Sequence, residues 1–151
     1  MESRFSGNLL FLLSPYNMAT TITTTFCVSG AVLAKAGANI NSDLSDDGGI
    51  GMGNAADEEL IAEWIQEAES IINTTTRHNW TDDYSTLNDD VKFILRDIAA
   101  SLAAMNAIQY DMSGYNSLAE AEAMLDVLWE TSQRGLSILR DKKPQDFISG
   151  A

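Results

Sequence analysis

A chain of 151 residues suits a single domain of ordinary size, and 45% hydrophobic content is enough for a core. Nine Lys plus Arg against 22 Asp plus Glu give a formal charge of −13, which argues against a nucleic-acid module, because phosphate contacts need cations. One Cys and one His exclude an internal disulfide framework, a Cys-rich zinc site and the usual multi-histidine metal sites, so no metal or cofactor is expected.

Residues 1–25 read as an arm. Asn8-Leu9-Leu10-Phe11-Leu12-Leu13 is apolar but far too short to span a bilayer. It also lacks the basic start and small-residue cleavage site of a signal peptide. Two readings stand for this stretch. The arm orders only on a neighbour, or Met18 is a natural start and residues 1–17 are an upstream extension. The Thr-rich run Thr20 to Phe26 is the one strand candidate, suited to adding to a neighbour's sheet.

Residues 26–37 predict a short helix, with Ser29 as N-cap and Gly37 as its C-terminal stop. A polar loop, Ala38 to Ala56, follows. Asp43, Ser45, Asp47 and Gly48 match the opening of a calcium loop, but Asn54 stands where a bidentate Glu is needed. Gly51, Gly53 and Ala56 imitate a dinucleotide pattern, but no strand precedes them and acids surround them.

Residues 57–76 predict a strong helix. Leu60, Ile61, Trp64, Ile65, Ala68, Ile71 and Ile72 recur at spacings of three and four. Glu58, Glu59, Glu63, Glu67 and Glu69 fill the polar face. Thr74-Thr75-Thr76 weaken the end, and Arg77-His78 fits a terminal turn. A connection over 77–88 carries Trp80 and Tyr84. Asn73-Thr74-Thr75 and Asn79-Trp80-Thr81 match glycosylation acceptors, which carry little weight without a secretory signal.

A third helix is expected over about 89–112, with the stripe Val91, Ile94, Leu95, Ile98, Leu102, Met105, Ile108 and Met112. Its many Ala residues allow close helix approach. Ser117-Leu118-Ala119-Glu120 has the capping-box pattern. The last helix runs from about 118 to 141, with Leu118, Ala121, Leu125, Leu128, Trp129, Ser132, Leu136 and Leu139 facing inward. Pro144 prevents continuation, and residues 144–151 form an extended tail. Trp64, Trp80 and Trp129 are read as packing residues. Cys27, between Phe26 and Val28, is read as a small buried hydrophobe rather than half of a Cys–His nucleophile pair. The predicted fold is all-α: a small helical bundle of three main helices and a short leading helix over residues 26–143, flanked by the arm and the tail.

The charge is unevenly spread. Residues 43–69 hold nine acids and no base, whereas 134–143 sum to +3 through Arg134, Arg140, Lys142 and Lys143 against Asp141. Such polarity marks an interaction surface.

The segments Asp57-Glu58-Glu59-Leu60-Ile61, Ala68-Glu69-Ser70-Ile71-Ile72-Asn73 and Thr76-Arg77 resemble the leading helix of tailed-phage head–tail connector (head-completion adaptor) proteins. Leu87-Asn88-Asp89-Asp90-Val91-Lys92 and Leu136-Ser137-Ile138-Leu139 are similar to that family's later layout. The resemblance covers about residues 27–150. It implies a non-enzymatic virion protein of the neck, made in the host cytoplasm. Such proteins form a ring, usually of about twelve subunits, under the portal protein. They extend the DNA channel without gripping DNA, and meet the stopper or tail-completion protein; no membrane is involved. The C-terminal tail docks on the portal, with Phe147 and Ile148 as anchors after Pro144, and Arg140, Lys142 and Lys143 steering it to an acidic surface. Acidic faces of the helices at 57–76 and 118–141 would suit a channel wall. The rival expectation is a small acidic regulatory binder that mimics DNA.

Overall fold

The computed structural model describes residues 22–37, 55–110, 112 and 114–141, with residues 55–59 as backbone alone. Among these are five helices and no strand. They are α1 (Ser29–Ala36), α2 (Ala55–Thr76), α3 (Trp80–Asp83, continued by a 3-10 turn at Tyr84–Thr86), α4 (Asp89–Tyr110) and α5 (Leu118–Arg140). The all-α bundle predicted from periodicity is present. The Thr20–Phe26 strand candidate runs as non-regular backbone over its described part. Residues 1–21, the loop 38–54 with its calcium-like pattern, and the tail from Lys142 onward lie outside the described residues.

The central element is α4. Ile98 through Ala104 are all buried, which a helix achieves only with neighbours on every side. Those neighbours are α1, α2 and α5. Ala99, Ala100, Ala103, Ala104 and Ala107 make this possible, because methyl side chains let three helices approach one axis. Ile61, Ile65, Ala68 and Ile72 form the buried stripe of α2, and Trp64 packs against Tyr110 with ring centroids 5.6 Å apart and planes tilted by 58°.

Two parts of the predicted core stripes fail. Ile71 on α2 is exposed, because Ala68 and Ile72 set the inward azimuth and Ile71 falls about 100° from Ile72. On α5, Leu118 and Trp129 are 63% and 52% exposed rather than core. Ala121, Leu128, Ser132, Leu136 and Leu139 hold the inward face, and Trp129 sits one position off Leu128.

Helix ends also differ from expectation. Ser29 is the first helical residue of α1, not its cap. Val28 holds the cap position without a side-chain bond, because burial of Phe26 and Cys27 determines where the chain enters. Gly37 terminates α1 at φ +83°, in the left-handed region that suits glycine. The Ser117 hydroxyl accepts the Glu120 N–H at 3.2 Å, as the capping pattern predicts. The Glu120 carboxylate reaches back to the Asn116 N–H at 3.2 Å.

The end of α2 is firmer than three β-branched residues suggest. Arg77 takes φ +59°, and His78 N–H donates to the Asn73 carbonyl at 3.2 Å, the six-to-one bond of a Schellman turn. The Thr76 hydroxyl donates to the Ile72 carbonyl at 2.7 Å and accepts the Trp80 indole N–H at 2.8 Å. Asn73 is occupied as well: its Oδ1 accepts the Trp80 N–H at 3.1 Å, and its Nδ2 donates to Thr81 at 2.9 Å. The side chain that matched a glycosylation acceptor is thus the bracket that starts α3.

Candidate functional site

Of the residues assigned to docking, Arg140 is the final residue of α5 and is exposed. Lys142, Lys143, Pro144, Phe147 and Ile148 lie outside the described residues. The described bundle offers a different surface. α1, α4 and α5 enclose a groove of about 650 Å³. Phe93 and Ile94 of α4 and Ile138 of α5 supply large apolar side chains, while Ala31, Ala34 and Ala100 make a smooth floor. Phe93 is 63% exposed and Ile138 is 42% exposed. A smaller depression of about 320 Å³ continues along α1 and α5, past Gly37, Tyr115, Met124 and Val127.

The groove exists because α1 is short. Eight residues cover only part of the 22-residue α4, and α1 and α5 line the opening over the rest. Lys35 holds the α1 wall in place: its ammonium pairs with Asp97 at 2.5 Å and donates to the Ser101 hydroxyl at 2.9 Å. Ser101 in turn donates to the Asp97 carbonyl at 2.7 Å. The same C-terminal end of α1 is tied again by the Tyr115 hydroxyl, which donates to the Ala36 carbonyl at 2.9 Å. Burial, then the nearby Glu120 charge, pushes the Tyr115 hydroxyl pKa up, so it stays a donor.

The electrostatics of this groove invert those of the chain. Lys35, Arg96 and Arg134 line it against a single acid, Asp97. In the sequence Arg134 belongs to the basic patch at 134–143, whereas Phe93 and Arg96 join it only through the fold. The readable signal was Phe93 and Ile138, large apolar residues standing off the core stripes.

The other chemistry-bearing residues fall into structural roles. Cys27 is buried, and burial, followed by the charge of Glu69, pushes its thiol up to about 12. His78 instead lies against Trp80, with ring centroids 4.2 Å apart, and its Nε2 is 3.0 Å from Asp83. Glu69, predicted on the solvated face of α2, is buried: its Oε1 accepts the N–H groups of Thr25 and Phe26. Glu63 and Glu67 remain outward, with Glu67 accepting the Asn106 side-chain amide at 3.2 Å. Among the described residues no helix is long and apolar enough to cross a membrane.

What the arrangement can do is bind a surface: it offers an apolar floor, a basic rim and helical walls, the features of a helix or strand receptor. No family model, no curated protein and no solved structure matches this chain.

Proposed function

We propose that this chain is a structural, non-enzymatic subunit of a tailed-phage neck, a ring adaptor between the portal protein and the stopper or tail-completion protein. The order of elements supports the reading: a short leading helix, an acidic helix, a Trp/Tyr connection, an Ala-rich central helix and a long last helix. The observation that carries it is the pair of apolar flanks on α5. Leu118 and Trp129 are exposed on one side of that helix, and Val127 and Ile138 on the side about 180° away. A subunit destined for neighbours on several sides has a use for both.

The acids fit the same role. Glu122, Asp126 and Glu130 are exposed on α5 at i, i+4 and i+8. Lining a channel with one such stripe per subunit lets DNA pass, because its acids repel phosphate and the cation one turn on, Arg134, is paired with Glu130 at 3.6 Å. The tail after Arg140 supplies the portal anchor, through Phe147 and Ile148 with Lys142 and Lys143.

Negative-stain images of the purified chain mixed with portal protein test the reading. A ring seated on the portal is expected, and removal of residues 144–151 abolishes seating while leaving helicity unchanged. A chain that stays off the portal and instead binds a basic protein in a salt-dependent manner would overturn it in favour of an acidic, DNA-mimicking regulator.

A further inference from the structure

We propose that the groove between α1, α4 and α5 is the seat of this chain's own C-terminal segment, with Phe147 and Ile148 held there by the same copy that carries them. The contact goes beyond the neck reading and does not rest on it.

The chain leaves α5 beside the groove. Gly135 lies against Ile98 and Ile94, so Ile138, about one turn further along α5, stands opposite the early residues of α4. The end of the groove with Phe93, Ile94 and Ile138 is therefore the end nearest Asp141. Asp141 has φ -72° and ψ 135°, which takes the chain out of the helix in an extended conformation. Pro144 cannot continue a helix, and it favours the extended region for Lys143 as well.

Residues 142–151 lie outside the described residues, but covalent geometry sets their reach. From Asp141 to Phe147 the backbone spans up to about 20 Å. The α5 wall of the groove, from Ile138 back to Thr131, is about 10 Å of helix. A segment that turns over 142–145 and comes back along α5 thus brings Phe147 and Ile148 over the groove.

The groove suits that pair. Successive side chains of an extended segment point to opposite sides. Phe147 and Ile148 therefore need apolar surface on two sides, and the groove supplies it through Phe93 and Ile94 on α4 and Ile138 on α5. Charge adds one further match. Lys35 and Arg134 are already paired, with Asp97 and Glu130. Arg96 has no carboxylate at ion-pair distance among the described residues, and Asp146, next to Phe147, is an acid to set beside it.

Tethering selects the occupant. A segment joined to the groove by a few residues meets it at roughly millimolar effective concentration. A second copy, at −13, must first overcome like-charge repulsion.

A nitroxide on Ser149→Cys, read by NMR of the isotope-labelled full chain, tests the contact; Cys27 is buried and stays unlabelled. The amides of Ala31, Ala34 and Phe93 are expected to lose most of their intensity at every protein concentration. The double variants Phe147→Ser/Ile148→Ser and Phe93→Ser/Ile138→Ser, with unchanged helicity, restore most of it. Mixing nitroxide-bearing chain without isotope into isotope-labelled chain without nitroxide produces no loss. Undiminished intensity in the parent, or equal loss in parent and serine variants, overturns the proposal. Loss in the mixture overturns it too, by seating a second copy's segment in the groove. Portal protein is a separate measurement: a chain that shows the expected pattern yet ignores portal protein removes the neck reading and leaves this contact standing.

Discussion

One carboxylate oxygen of Glu69 accepts the backbone N–H of Phe26 at 2.8 Å, and that of Thr25 at 2.6 Å, across 43 and 44 residues of sequence. The pair of bonds pins the segment before α1 against α2, and places Phe26 in the core, where it rests on Tyr84 with ring centroids 5.6 Å apart. An acid on an otherwise solvated helix face thus becomes the clamp that seats α1, and α1 forms one wall of the groove.

Glu69→Ala is expected to destabilise the fold by about 3 kcal/mol, since two N–H groups lose a charged acceptor and the one on Phe26 is buried. Glu69→Gln, which keeps an acceptor oxygen, costs less than half as much. Urea unfolding gives the energies, and amide exchange at Thr25 and Phe26 reports the local loss. Equal stability of the Ala variant and the parent would contradict the clamp.

Cys27 holds its proton more tightly in the folded chain than in the unfolded one, with a pKa of about 12 against 9.0. The corresponding stability is whole below pH 9.0 and is lost as pH climbs toward 12, where a thiolate is favoured only in the unfolded chain. A thiol reagent at pH 8 should therefore modify the folded chain on the order of a hundredfold more slowly than the urea-unfolded chain, since burial blocks access and thiolate alike. Rapid modification of the folded chain would place Cys27 outside the core.

Thr76→Val keeps the shape at the end of α2 but removes the acceptor of the buried Trp80 indole N–H. The unpaired donor should cost roughly 1–3 kcal/mol. A thermal melt reads this as a lower midpoint, and Thr76→Ser should restore most of it.

Gly135 costs α5 about 1 kcal/mol of helix propensity relative to Ala, yet Ala should destabilise the protein. A Cβ there would lie 2.4 Å from Ile98 Cγ1 and 2.8 Å from Cδ1, and Ile98 is fully buried. The expected net loss for Gly135→Ala is about 1–2 kcal/mol, the overpacking penalty less the propensity gain. In an Ile98→Ala background the same change should turn stabilising. Additive energies in that double-mutant cycle would dissociate the glycine from Ile98.

Arg77 bears the left-handed conformation that ends α2, at φ +59°. Arg77→Gly should raise stability by about 1 kcal/mol, because glycine adopts that region without a Cβ penalty. A lower denaturation midpoint for this variant would show that the arginine side chain contributes more than the turn.

The helices themselves were legible in the residues alone. Periodic Ile and Leu, the Ser117 cap, the Gly37 stop and the Ala-rich run at 99–107 are local signals, each readable within a turn or two of helix. Hydrophobic periodicity also located most of the core on α2 and α4. It could not say that Glu69 is buried, that Trp129 and Ile71 are exposed, or that Gly135 exists to admit Ile98. Those facts depend on where a second helix lies, and a repeat of 3.6 residues defines one face without naming what covers it. The groove is the clearest case. Phe93, Arg96, Lys35 and Ile138 come from three helices, and only the tertiary structure, by pairing a short α1 with long α4 and α5, leaves them facing one opening.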